Sequence, residues 1–215
     1  MFIDAENREK WLEIRKSGIG GSDAGTAVGK NSYKSNVALW REKVGIDVPE
    51  DISDKPAVAR GKQAEPCLRE LFRLDFPEYH VEYHEFGMYF SDEFPYMFAT
   101  LDGELTEIST GRRGVLEIKT TTIRNSSQWD EWDNRIPDSY YIQVLHQLIC
   151  TGFDFVVVMA NIKYYNDDIP RVQIRYYFIE RSEVQADIEW LKREEQKFWQ
   201  SVQERKCPSL ILPEI

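Results

Sequence analysis

The hydrophobic pattern changes character along the chain. Up to about residue 75 the apolar positions recur at helical spacing. Residues 6–16 read as a short helix carrying Trp11, Leu12 and Ile14. Gly18, Gly20 and Gly21 break it, and Ser22 and Asp23 are N-cap candidates for a second short helix ending at Gly29. A third helix is expected over 35–44, using Val37, Leu39, Trp40 and Val44. A longer helical segment over 56–75 is expected to be interrupted at Pro66, whose ring must either start a helix or kink one.

From residue 79 the repeat shortens to two. Segments 79–90, 96–101, 104–108 and 114–119 are aromatic and β-branched, and turn signals such as Asp102-Gly103 and Gly111 separate them. Helical spacing returns over 126–134 and 138–151. Strands are expected over 153–162 and 171–179, the first so apolar that both its faces should be covered. Residues 182–206 read as an amphipathic helix with Val184, Ile188, Leu191, Phe198, Trp199 and Val202 along one stripe. The expected fold is therefore α/β (α+β): a central mixed β-sheet flanked by helices.

Length and composition narrow the possibilities. The 215 residues suffice for one domain with a real core, taken here as 1–215. The acidic stretch from Gly45 to Pro56 reads as a surface loop within it. No run approaches the eighteen consecutive apolar residues of a membrane span, and the acidic N-terminus does not read as a secretory signal. Cys67, Cys150 and Cys207 are odd in number and contain no C-x-x-C pair. Free thiols in a reducing compartment fit this better than zinc or iron–sulfur ligation, so a cytoplasmic location is expected. The formal charge of -10 counts against general affinity for nucleic acid. Either the surface is simply acidic, or some carboxylates hold metal ions and any DNA contact is a local basic patch.

The chemistry concentrates in Leu101-Asp102-Gly103-Glu104 and Val115-Leu116-Glu117-Ile118-Lys119. Strand alternation puts Glu117 and Lys119 on one face and Leu116 and Ile118 on the other. Asp102 lies in the hairpin just before them. Two carboxylates able to hold a divalent metal beside a lysine suit phosphodiester hydrolysis. An exposed strand edge with a cross-strand ion pair produces the same pattern. Glu65, at the expected Pro66 break, can turn inward as a further ligand or remain a solvated helical glutamate. The glycine-rich turn after Arg15 can present backbone N–H groups, Ser22 and the guanidinium to a phosphate, or can be a turn and a cap only. Gln143 and Gln147 share a helix ridge at i, i+4 beside His146; glutamines and a histidine so placed mostly face water.

Taken together and in order, these segments resemble the lambda exonuclease/YqaJ-like viral recombinase family, a branch of the PD-(D/E)xK nucleases. The resemblance runs from Trp11 to about Gly152. Its carriers are the W-x-x-x-R-x-x-x-I-G-G-S-D opening, the G-K-Q-x-E segment, the D-G…E-I-K core and the Y-x-x-Q-V-x-H-Q helix. The resemblance implies a restriction-endonuclease-like core and a processive 5′→3′ exonuclease that digests linear double-stranded DNA, leaving 3′ overhangs for phage-type recombination. It implies Mg²⁺ dependence with two ions, Mn²⁺ able to substitute, a single-strand annealing protein as partner, and for some members a ring-shaped trimer. The setting would be the cytoplasm of a bacterial or phage-infected cell.

Residue by residue, the resemblance makes Asp102, Glu117, the Ile118 carbonyl and Glu65 metal ligands. Lys119 positions the attacking water and Gln143 orients the network. Arg15, Ser22 and Thr100 form a pocket for the 5′-phosphate, with Arg124 an approximate match to a second arginine. Leu101 stands where the family's nominal proline would be, at no chemical cost. Two rivals stay open: a structure-specific or restriction-type endonuclease on the same core, and a catalytically silent DNA-binding or assembly protein.

Overall fold

The computed structural model describes residues 1–212. In chain order the elements are β1 (Phe2–Asp4), α1 (Arg8–Arg15), β2 (Ile19–Gly20), α2 (Gly21–Ala27), α3 (Asn36–Lys43) and α4 (Pro56–Asp75). Five strands follow: β3 (Tyr79–Glu82), β4 (Gly87–Phe90), β5 (Met97–Ala99), β6 (Gly103–Glu107) and β7 (Arg113–Thr122). The rest is α5 (Ser126–Asp130), α6 (Asp138–Thr151), β8 (Phe155–Asn166), β9 (Ile169–Glu180) and α7 (Gln185–Gln203).

The mixed α+β class is as expected, but the strands form two mixed sheets, ordered β1-β4-β5-β2 and β3-β6-β7-β8-β9. The second sheet escapes sequence reading because β1 and β2 are too short to show a period. β2 is two residues that pair in parallel with Met97 and Phe98. That approach requires glycine at position 18, where a Cβ would stand 2.1 Å from the Tyr96 carbonyl oxygen.

The larger sheet explains the apolar run after residue 153. β8 lies between β7, its parallel partner, and β9, its antiparallel one. Val156, Val158, Ala160 and Ile162 face Leu145 and Leu148 of α6 and Ile188 and Leu191 of α7. The alternate residues Val157 and Met159, with Leu116 and Ile118 of β7, face Leu68 and Phe72 of α4. Each fully buried side chain of this kind contributes about 1.5–3 kcal/mol, so covering both faces fixes the β7/β8 register firmly.

Two local expectations are corrected. α4 runs unbroken from Pro56 to Asp75 with Pro66 inside it. Packing of Leu68 and Phe72 on the sheet outweighs the hydrogen bond that the proline removes. α2 is capped by Gly20, not by Ser22: Asp23 accepts the Gly20 N–H at 3.3 Å. The stretch between α3 and α4 is irregular and largely exposed, as its composition implies. Beyond α7 the chain returns to buried Asn36, whose amide donates to the Ser209 carbonyl at 2.8 Å and accepts the Ile211 N–H at 3.0 Å. All three cysteines are free, and among the described residues no helix is long and apolar enough to cross a membrane.

Candidate active site

The β6/β7 hairpin positions the first carboxylate. Pairing ends at Gly103 opposite Leu116, so β7 continues past its partner with one edge open. Asp102, immediately beyond the end of β6, fills that edge: its Oδ2 accepts the Ile118 N–H at 2.7 Å. In extended backbone the N–H and C=O of one residue leave by the same edge, so the Ile118 carbonyl is directed towards Asp102 as well. Arg69 of α4 donates from Nε to the Asp102 carbonyl at 2.7 Å and stacks on Tyr83, holding the turn from behind.

Glu117 and Lys119 lie on an interior strand rather than an exposed edge, and Glu117 is only 3% exposed. Lys119 Nζ stands 2.7 Å from Glu117 Oε1, donates to Gln143 Oε1 at 2.8 Å, and sits 4.5 Å from the Tyr140 ring centroid. Gln143 Nε2 donates to Glu117 Oε1 at 2.7 Å, and Gln147 Nε2 donates to Oε2 at 2.5 Å. Both carboxylate oxygens are thereby held by one ridge of α6. The two glutamines face the sheet, not water. Gln147 therefore joins the candidate site residues; in the sequence it is marked by its i, i+4 spacing from Gln143 and as the last position of the Y-x-x-Q-V-x-H-Q motif.

Glu65 reaches this region by helical periodicity, without any break at Pro66. Gly61, Glu65, Leu68 and Phe72 recur on the face of α4 that meets β7. A Cβ at Gly61 would lie 3.2 Å from Thr120 Oγ1, so helix and strand approach closely just before Glu65.

The charges are unbalanced. Burial pushes Asp102 well above the usual carboxylate range, and the charges of Glu117 and Glu65 push it further than Lys119 and the Ile118 N–H pull it back. Burial raises Glu65 too, with help from Glu117. Burial opposes the charge on Lys119, but Glu117 and Asp102 outweigh it and the ammonium keeps its proton more firmly than usual. Three mutually repelling carboxylates beside one ammonium leave a local excess of negative charge that a divalent cation would offset, although their oxygens are not all within 4.8 Å of one another.

A second constellation forms at the α1/α2 turn. The Arg15 guanidinium packs over Trp11 at 4.5 Å and Phe98 at 5.8 Å, and its NH2 lies 3.5 Å from Ser22 Oγ. Burial lowers its affinity for its proton slightly, against the neighbouring Asp23 carboxylate. Asp23 is itself paired with Lys43 at 2.8 Å and so is shared between Lys43 and Arg15. Arg15 and Ser22 are thus brought together. Thr100 follows β5 directly and leads into the Asp102 turn, half-buried. Arg124 is different: it is exposed in the loop after β7, where its backbone N–H bonds Gln128.

His146 is fully buried, contrary to the surface position expected of it. It pairs with Glu195 of α7, a residue that the sequence does not mark. Away from all these groups, Glu82, His84 and Glu104 bring ligand atoms within 4.8 Å of one another. There the Glu104 carboxylate is already engaged by Arg113 and by the Tyr89 hydroxyl.

Fold and site together define an α+β protein of two mixed sheets, with an Asp…Glu-x-Lys centre clamped by a helical glutamine pair. Residues 10–154 match the YqaJ-like viral recombinase domain, and the chain belongs to that family. The uncharacterized protein YqaJ of Bacillus subtilis (strain 168) is 30% identical over 170 residues, 77% of this chain and 50% of that protein. The chain therefore spans about half the length of this curated relative. An alkaline exonuclease from Laribacter hongkongensis superposes with a TM-score of 0.69 at 20% identity, over 92% of this chain and 94% of that one. A phage related exonuclease from Haemophilus somnus 129PT gives 0.57 at 13% identity, over 87% and 96%. At these identities the likeness is one of fold.

Proposed function

We propose that this protein is a metal-dependent deoxyribonuclease that digests linear double-stranded DNA from its ends in the 5′→3′ direction, supplying 3′ single strands for recombination. The observation that carries this reading is the placement of Asp102 on the open edge of β7 next to the Glu117–Lys119 pair, with both Glu117 oxygens gripped from α6. Membership of a viral recombinase family and the fold of two exonucleases support it.

Asp102, Glu117 and the Ile118 carbonyl would hold a divalent cation, Mg²⁺ in the cell, and Glu65 a second. Such ions supply Lewis-acid stabilisation of the phosphoryl group and a more acidic water. The protein's own groups do the rest. Lys119 remains an ammonium, so it serves as a hydrogen-bond donor that orients the attacking water and offsets charge on the phosphoryl oxygens, not as the base. Gln143 shares its amide between Lys119 and Glu117 and fixes their separation. Arg15, with Ser22 beside it, would anchor the 5′-phosphate exposed after each cut, with Thr100 and Arg124 as the further residues of that pocket.

Within this reading the chain works as a single nuclease domain in the cytoplasm of a bacterial or phage-infected cell. It hands its product to a single-strand annealing protein and encloses DNA in a ring of three copies. The test is digestion of end-labelled linear duplex and of covalently closed circular DNA, with Mg²⁺ and with chelator. Release of nucleotides from the linear form alone, in Mg²⁺ alone, is the expected result. Cutting of the closed circle would replace the exonuclease by an endonuclease, and no digestion of either would leave a DNA-binding protein.

A further inference from the structure

His146 has two ring nitrogens and two acceptors facing them. Nδ1 lies 2.9 Å from both Glu195 oxygens, and Nε2 lies 2.9 Å from the Phe98 carbonyl oxygen. The carbonyl has no hydrogen to give, and the carboxylate has none while ionised. The imidazole must then donate from both nitrogens, which makes it an imidazolium facing a carboxylate. Its remaining neighbour is Cys150, whose Sγ is 3.4 Å from Nε2 and whose thiol burial keeps protonated. A charged pair with 0% exposure of both side chains is an expensive way to join two helices. Apolar residues of similar volume are often as stable or more so.

What the pair provides that apolar packing does not is direction. Besides packing on α2, β4 and β8, α6 is bonded to β7 through Gln143 and Gln147, to α7 through Glu195, and to β5 through the Phe98 carbonyl. The last two are bonds from a single side chain at position 146, so they fix the rotation of α6 about its axis. Turning a helix by about 10° carries a side-chain tip roughly 1 Å, given a helix radius of about 5–6 Å with side chains. That displacement would release both amides from Glu117. Phe98, the carbonyl partner, also presents its ring to Arg15 and to Gly20. One imidazolium therefore ties the floor of the Arg15 pocket to the helix that grips Glu117.

We propose that the buried His146–Glu195 ion pair is a positioning pair for the Glu117 site, setting the angle of α6 so that Gln143 and Gln147 reach both carboxylate oxygens. Its kinetic consequence rests on the nuclease reading above, but its structural consequence does not. The decisive variants are the volume-conserving double substitution His146→Leu/Glu195→Leu and the single Glu195→Gln, which keeps the shape and removes the charge. The double variant should fold with a Tm equal to or above that of the parent. Its kcat on end-labelled linear duplex should fall about 10–100-fold with KM little changed, the range for loss of groups that orient ligands. In the metal-free protein the side-chain amide NMR signals of Gln143 and Gln147 should move towards those of free glutamine. Glu195→Gln should move them the same way by less, and it carries the test if the double variant does not fold. Unchanged glutamine signals in either folded variant overturn the proposal, as does an unchanged kcat. If the parent protein digests no DNA, the nuclease reading fails, and displaced amide signals would still uphold the positioning role.

Discussion

Gln147 Nε2 lies 2.5 Å from Glu117 Oε2, while the other oxygen of that carboxylate is held by Gln143. A strand carboxylate fixed at both oxygens by one helix cannot rotate to follow a misplaced ligand. Gln147→Leu keeps the volume and removes one of the two anchors. DNA digestion should fall about 10–100-fold, as for other groups that orient metal ligands. Steady-state kinetics on linear duplex checks this, and a kcat within error of the parent would remove Gln147 from the site.

Asp102→Asn separates chemistry from stability. Asparagine can still accept the Ile118 N–H, but it carries no charge to share with Glu117 and Glu65. Digestion should fall at least about 10²–10³-fold, the scale for losing a charge-stabilising group. The folded-state proton affinity of Asp102 is raised, so in the metal-free protein its contribution to stability is fully present below the ordinary carboxylate pKa. It is lost as pH rises through the higher folded value. Metal-free parent protein should therefore lose Tm as pH rises from the ordinary aspartate value of about 3.9 towards neutrality, and Asp102→Asn should lose less. Thermal melts over that range decide it.

Metal addition should act in the opposite sense. A cation that relieves repulsion among Asp102, Glu117 and Glu65 binds the folded state only, so Mg²⁺ or Mn²⁺ should raise Tm. The rise should be larger at neutral than at acidic pH, because protons and metal compete for the same oxygens. An equal rise in Asp102→Asn would show that the ion binds elsewhere, with Glu82, His84 and Glu104 the first place to look.

Arg15 shares the Asp23 carboxylate with Lys43 and sits on two aromatic rings. Arg15→Ala should slow digestion of 5′-phosphorylated ends by about 10-fold or more, since a charge-assisted contact is worth about 1.5–3 kcal/mol. Ends bearing a 5′-hydroxyl should be slowed less. Equal slowing of both would place Arg15 outside end recognition.

Pro66 occupies the interior of an unbroken helix. Pro66→Ala restores a backbone donor and should stabilise the fold by up to about 3 kcal/mol. A lower Tm for the variant would mean that a local bend at this proline helps α4 to place Glu65.

Much of the local structure follows from the sequence alone. The spacing of Leu68 and Phe72, the alternation through Glu117 and Lys119, and the apolar run of β8 each follow from a period that neighbouring residues repeat. Such signals are local, so they survive without a fold. The D-G…E-I-K core and the Y-x-x-Q-V-x-H-Q helix mark the candidate site for the same reason: each is contained within a few turns or one hairpin.

Tertiary structure decided the rest, because it depended on groups far apart in the chain. The smaller sheet joins residue 2 to 89 and residue 19 to 97, and segments of two or three residues carry no period of their own. Periodicity could not say whether Gln143, Gln147 and His146 faced water, since the covering strand and helix lie elsewhere. Glu195, 49 residues after His146, stands among other glutamates of an amphipathic helix until α7 packs down and buries it against the imidazole. Which charges are buried together is a property of the packed molecule, and in this protein the site's electrostatics depend on it.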